Sequence, residues 1–362
     1  MLNNILFLVA GNSGGHILPA LEIGRRWKKN NPSGKIIFFC SKKGIDKKII
    51  LNSNFLFQKV GLSFDNFPGK KFYLYPQFIV KLIWTLILSI YFLILYRPEK
   101  IISTGGYISI PICVVSKLFR TKIELFELNV FPGKTVKALL PFANKIFVTF
   151  DSTILFLNKK CRIRTKFNHK NKEKQPNFKK KCFVEQYPLR FNSKDKIYDK
   201  NLIINKINGF SQNRKTIFLI GGSQGSVFLN NLFKKWLLNN IDAINNLQII
   251  HQTGITDKTN WIAFYKKINI PAVVFDYDEN IKDFYLIADL VISRAGAGTL
   301  FELEFFQKKS LIIPLESNYT SHQINNAYEM ARRNTDLFFV QKQNDIKNDF
   351  YLFEDKINEL LV

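Results

Sequence analysis

His16 closes a glycine-rich stretch, Gly11-Asn12-Ser13-Gly14-Gly15-His16, that follows the apolar run at residues 5–10. An apolar run, a glycine turn and a helical pattern from about Ile17 predict a strand, a tight turn and a helix start. Glycines at such a turn allow positive φ and let the backbone come close to a ligand. The unpaired N–H groups and positive dipole end of the helix favour an anion such as a diphosphate. A neutral imidazole there can accept a proton from a hydroxyl. A histidine that merely caps or packs a helix start is the plainer alternative.

The arrangement recurs at Gly221-Gly222-Ser223-Gln224-Gly225-Ser226, where serine and glutamine add side-chain donors to the backbone ones. A third turn, Arg294-Ala295-Gly296-Ala297-Gly298-Thr299, precedes Glu302, whose carboxylate could accept both hydroxyls of a ribose. Glu302 could equally be an ordinary acidic residue near a helix start. His322 and Gln323 begin another polar helix start, with donors and acceptors suited to sugar hydroxyls. Neither of the first two clusters is the GxGxxG dinucleotide fingerprint, and no Walker lysine, metal-spaced cluster or Ser/His/Asp set is present. These pieces favour group transfer from a nucleotide sugar, with no metal and no cofactor expected.

The elements that must carry these turns alternate. Apolar runs at 5–10, 101–103, 216–220 and 290–293 each lead into a glycine-rich turn and a helical pattern. Continuous apolar strands between helices predict parallel sheets covered on both faces, an α/β class. Repetition of the unit near 11 and near 221 predicts two doubly wound, Rossmann-like domains, residues 1–185 and 186–362, with Pro188 at the hinge. The last helix is expected to pack back on the first domain. Between the halves, residues 159–181 carry eleven Lys or Arg against the single Glu173, which predicts a solvated loop. The stretch 82–96 is uncharged but shorter than the roughly 20 residues of a span. It predicts a core helix showing part of an apolar face at a bilayer surface.

The chain has 362 residues, 46% of them hydrophobic, enough for two ordinary cores. Its net charge of +25 suits anionic membranes or anionic substrates. Abundant Lys, Asn, Ile and Phe also fit AT-rich coding, so charge alone assigns no function. Nucleic acid is disfavoured, since no basic motif is interleaved with aromatics. Cys40, Cys113, Cys161 and Cys182 form no CxxC pair and are expected as free thiols. No cleavable leader opens the chain, so a cytosolic location is expected.

Read in order, five segments resemble the N-acetylglucosaminyltransferases that convert lipid I to lipid II in peptidoglycan assembly. They are GNSGGHILPA at 11–20, TGGYISIP at 104–111, GGSQGS at 221–226, SRAGAGTLFEL at 293–303 and HQINNA at 322–327. The resemblance implies a two-domain GT-B fold with an inter-domain cleft and no obligatory metal. It implies His16 as the base or hydroxyl contact. Ser13, Gly14, Gly15, Gly105, Gly106, Tyr107 and Asn129 would bind the acceptor. Arg190, Ser223, Gln224, Gly225, Glu302, His322 and Gln323 would bind UDP-N-acetylglucosamine. It further implies a peripheral place on the cytoplasmic face of the plasma membrane, against anionic lipid, with cell-wall or division machinery as partners.

The chain departs from that pattern in several places. Phe126-Glu127-Leu128-Asn129 stands for His-Glu-Gln-Asn, and Gln186-Tyr187-Pro188 for Gly-Asn-Pro. Gly298 replaces a leucine or similar residue, and the connector at 159–181 is longer than usual. Two other readings therefore stay open: a GT-B enzyme for another lipid acceptor such as diacylglycerol, and a degenerate UDP-sugar-binding protein.

Overall fold

A computed structural model describes residues 4–11, 13–42, 46, 49–50, 53–157, 181–222, 224–241, 243–278, 280–316 and 321–362. Most of the basic connector, with Cys161, and also Ser223 lie outside the described residues. The chain divides into two compact units, Met1–Arg190 and Phe191–Val362.

The first unit holds β1 (Ile5–Ala10), β2 (Lys35–Ser41), β3 (Gln58–Leu62), β4 (Lys100–Gly105), β5 (Lys122–Glu127), β6 (Lys145–Val148) and β7 (Cys182–Val184). They form one parallel sheet of order β3-β2-β1-β4-β5-β6-β7. Its helices are α1 (Gly14–Asn30), α2 (Tyr75–Tyr96), α3 (Ser109–Ser116) and α4 (Lys134–Leu139). Continuous apolar strands such as Leu6–Ala10 are buried because helices cover both faces. Helix α1 sits close on β1, since a Cβ on Gly24 would lie 2.6 Å from Leu8 Cδ1.

The second unit repeats the plan with β8 (Lys215–Ile220), β9 (Leu247–Gln252), β10 (Ala272–Phe275), β11 (Leu290–Ser293), β12 (Ser310–Ile312) and β13 (Phe338–Val340). Their order is β10-β9-β8-β11-β12-β13, again all parallel. The helices are α5 (Lys200–Asn205), α6 (Val227–Asn239), α7 (Trp261–Lys267), α8 (Lys282–Ile287), α9 (Ala297–Phe305), α10 (Ser321–Arg333), α11 (Gln343–Asn348) and α12 (Tyr351–Leu361). In each sheet the order reverses beside the first strand, at β1/β4 and at β8/β11. Ligands of such folds bind at these switch points, beyond the carboxyl ends of the strands.

The fold bears on four expectations. Helix α1 starts at Gly14, three residues before Ile17, because Ser13 is already extended and its carbonyl accepts from the N–H groups of His16 and Ile17. The division falls after Arg190, since Glu185 N–H donates to Val148 O and the Arg26 guanidinium donates to Leu189 O. The final helix α12 buries Phe353, Ile357 and Leu360 in the core of the second unit, with Ile217 and Leu219. The apolar segment is a 22-residue helix rather than the 82–96 run, because Lys81 does not end it. Its ammonium reaches Asp65 at 2.6 Å and the helix runs on around it.

Candidate functional site

At the first switch point, β1 and β4 deliver Gly11 and Gly105-Gly106 side by side. Gly105 and Gly106 have φ of 111° and 90°. A Cβ on Gly106 would meet Gly11 O at 2.7 Å, and one on Gly105 would meet His16 Cε1 at 3.0 Å. Both positions therefore need glycine, for sterics as well as for φ. His16 lies in the first turn of α1 with its Nδ1 2.7 Å from Thr104 O. A carbonyl only accepts, so Nδ1 carries the proton and Nε2 keeps its lone pair. Thr104 Oγ1 donates back to His16 O at 2.8 Å, clamping the residue at both ends. Burial lowers the His16 pKa below its ordinary value, against smaller opposing effects of the Thr104 carbonyl and the Asp46 charge. The imidazole is thus neutral at pH 7, the state a base requires.

Next along the sheet, β5 ends at Glu127. This buried carboxylate accepts from Asn129 N (3.0 Å), Asn129 Nδ2 (3.1 Å) and Gly133 N (2.7 Å). It holds the 128–133 loop in shape and orients the Asn129 amide. Burial raises the Glu127 pKa and those hydrogen bonds lower it, burial being the larger influence. Phe126 and Leu128 are buried, with Phe126 stacked on Phe147 at 4.6 Å. The two apolar departures thus serve packing. Tyr107, half-buried, leans on the core that contains Ile108, Ile112 and Leu125.

The second switch point is built from the Gly221–Ser226 turn and the turn after β11. Gly222 and Gly225 have φ of 81° and 76°. Ser226 caps α6, its Oγ accepting from Leu229 N at 3.3 Å. Arg294 lies beneath, buried, donating to Ser226 Oγ (3.1 Å), Ile313 O (3.0 Å) and Gln343 Oε1 (2.7 Å). Burial brings its pKa down to about 10, so it stays charged at pH 7. A positive charge held by neutral oxygens beside a helix start suits an anionic ligand. Glu302 projects from α9 with 9% of its surface exposed, and its Oε2 accepts from Tyr285 Oη at 2.9 Å. Helix α10 places His322 and Gln323 in its first turn. Gln323 Oε1 accepts from Leu315 N at 3.0 Å, which leaves its Nε2 as the donating end. Asn326 ties α10 to the Arg294 turn through Ala295 O at 3.4 Å.

The first unit thus gathers Ser13, Gly14, Gly15, His16, Gly105, Gly106, Tyr107 and Asn129 at the carboxyl edge of its sheet. The second gathers Gln224, Gly225, Glu302, His322 and Gln323 at the edge of its own. Arg190 is half-buried at the end of the first unit. Thr104, Glu127 and Arg294, which shape these edges, were not assigned roles from sequence. A buried carboxylate ending a strand, and an arginine directly after one, were the available signals.

Residues 6–148 match the glycosyltransferase family 28 N-terminal domain, and residues 216–349 match the family 28 C-terminal domain. The chain belongs to glycosyltransferase family 28. The two matches cover both switch points and the sheets that carry them. Among similar proteins is the UDP-N-acetylglucosamine–N-acetylmuramyl-(pentapeptide) pyrophosphoryl-undecaprenol N-acetylglucosamine transferase of Finegoldia magna, 29% identical, spanning 98% of this chain and 89% of the relative. The protein of the same name from Thermodesulfovibrio yellowstonii is 28% identical over 91% of this chain and 83% of its own. The crystal structure of Acinetobacter baumannii MurG shares the fold, with a TM-score of 0.66 at 17% identity, covering 99% of this chain and 90% of that one. The family 28 chain is a UDP-sugar glycosyltransferase of GT-B fold.

Proposed function

We propose that this enzyme transfers N-acetylglucosamine from UDP-N-acetylglucosamine to the muramyl 4-hydroxyl of undecaprenyl-pyrophosphoryl-N-acetylmuramyl-pentapeptide, lipid I, forming lipid II. The observation that carries the reading is His16, locked by Thr104 as the tautomer whose Nε2 can take a proton. The muramyl oxygen attacks the anomeric carbon, its proton passes to Nε2, and the bond from that carbon to the diphosphate oxygen breaks with inversion. The acceptor diphosphate rests against the N–H groups of Ser13, Gly14 and Gly15 and the Gly105-Gly106-Tyr107 turn, with Asn129 on the sugar. The departing UDP is stabilised by the α6 start around Gln224 and Gly225 and by Arg190. Glu302 holds the ribose, and His322 with Gln323 holds the sugar. Stabilising the leaving diphosphate is the larger effect, and the base adds about 10²–10⁴-fold.

A lipid acceptor also accounts for α2. Its inward residues include the polar Thr85 and Ser89, fully buried and bonded back to Lys81 O and Thr85 O at 2.7 Å each. Phe92 and Leu93 are buried, but several large apolar residues point out, Trp84 and Ile87 being 59% and 53% exposed. Residues 72–96 are long and apolar enough to cross a membrane, yet only 22% of the most apolar window is buried. We read this face as lying on the cytoplasmic surface of the bilayer, helped by lysines and arginines drawn to anionic lipid.

Transfer of labelled N-acetylglucosamine to a lipid I analogue, beside diacylglycerol, tests the proposal. Label on lipid I alone is the expected result. Label on diacylglycerol alone, or UDP binding without transfer to either, would overturn it.

A further inference from the structure

The end of β9 carries four consecutive residues, His251-Gln252-Thr253-Gly254, the last three of which touch the Gly221–Ser226 turn. Gly254 (φ 83°) meets Gly225 backbone to backbone, and a Cβ on Gly254 would lie 2.2 Å from Gly225 Cα. Neither turn can shift without displacing the other. Gln252 Nε2 donates to Gly222 O at 3.0 Å. Thr253 is pinned from behind, its carbonyl accepting from Asn230 Nδ2 at 2.9 Å. Asn230 belongs to α6 and donates its own backbone N–H to Ser226 O at 3.0 Å. One fully buried residue thus joins the last residue of the turn, through its backbone, to the strand end that abuts it, through its side chain.

What holds Asn230 is a chain of protons with one direction. Asn230 Nδ2 also donates to Asp257 Oδ2 at 2.7 Å, so its Oδ1 is the atom facing His251 Nε2 at 3.1 Å. An amide oxygen only accepts, hence Nε2 bears the ring proton and Nδ1 is bare. Tyr265 Oη, 2.9 Å from Nδ1, must then be the donor. The order Tyr265 to His251 to Asn230 to Thr253 leaves no bond with two donors or two acceptors. Burial keeps the imidazole neutral, its pKa pushed down to about 3, with the Asp257 charge opposing. His251 also stands edge-on to Trp261 at 4.7 Å, which fixes the ring plane. Neither His251 nor Tyr265 lies on the turn itself, and the transfer chemistry described above uses neither.

We infer that Tyr265, His251 and Asn230 are positioning residues that hold the Thr253-Gly254 turn against Gly225, and so preset the Gly221–Ser226 turn for a nucleoside diphosphate before it arrives. Presetting spares the ligand the cost of ordering a glycine-rich segment, so its loss appears in donor affinity rather than in the chemical step. The inference rests on the donor-site reading of this turn.

UDP titration by calorimetry, with steady-state transfer, tests it on His251→Phe and Tyr265→Phe in the full chain. His251→Phe keeps an aromatic ring, though a larger one, and removes both bonds, and Tyr265→Phe removes one hydroxyl should the first variant fold poorly. Each should raise the UDP Kd and the donor KM by about two- to tenfold, with kcat and the acceptor KM held. The double variant should lose no more than His251→Phe alone, because the hydroxyl acts through the imidazole. Unchanged UDP affinity in the folded variants, with only a lower Tm, would overturn the inference while leaving the donor site intact. Absence of UDP binding by the unsubstituted protein would sink the donor-site reading, and this inference with it.

Discussion

The His16 imidazole, the proposed base, can accept a proton only while neutral, and its surroundings set the pH at which that fails. Burial places its pKa below 6.5, so the active form persists above that value and is lost as pH falls through the lowered pKa. The acid limb of kcat/KM should therefore have its midpoint below pH 6.5. A midpoint above it would mean that another group is titrating. Glu302→Ala should weaken UDP binding by about tenfold or more, the scale of hydrogen bonds to a charged group. Glu302→Gln, which keeps an acceptor for the Tyr285 hydroxyl, separates ribose binding from local packing. Unchanged UDP affinity in both would remove Glu302 from the ribose. His16, Gly105, Gly106 and Glu302 could be picked out in the sequence because glycine turns and nearby polar residues are local patterns. The tautomer of His16 could not, since it depends on a carbonyl 88 residues away. Glu127 was hidden for a similar reason, its role depending on a loop that folds back to Gly133.

A close glycine contact and an exposed apolar helix can each be tested by substitution. The Gly225 and Gly254 backbones touch, both at positive φ, so neither position admits a side chain. Gly225→Ala should raise the UDP Kd more than a Gly222→Ala control, whose added Cβ has nothing within 4 Å. Both substitutions cost backbone strain at positive φ, and a difference between them isolates the contact. Equal effects would mean that the contact with Gly254 does not matter for binding. Helix α2 shows what an apolar run leaves unsaid. Composition marks residues 82–96 as helical and apolar, but not that Thr85 and Ser89 turn inward while Trp84 and Ile87 turn out. Which face is buried depends on the packing of α2 on α3. Trp84→Glu with Ile87→Glu should abolish flotation with anionic liposomes while UDP affinity stays the same. Flotation that survives the substitutions in high salt would place the membrane contact elsewhere.

Across the whole chain, the repeated strand, glycine turn and helix announced two doubly wound sheets, and the strand orders follow that plan in both. The apolar stripe of the terminal segment does not by itself say which core it completes, and Phe353, Ile357 and Leu360 join the second. The division of labour follows from the two sheets. In the proposed assignment the acceptor and base residues belong to the first sheet and, Arg190 apart, the nucleotide-binding residues to the second, so damage to one set should largely spare the other. His16→Ala is the sharpest test of the whole account, read as transfer to a lipid I analogue with UDP affinity measured on the same protein. With His16 as the base, kcat should fall by at least about 10²-fold while the UDP Kd stays unchanged. Near-normal turnover by His16→Ala would contradict it.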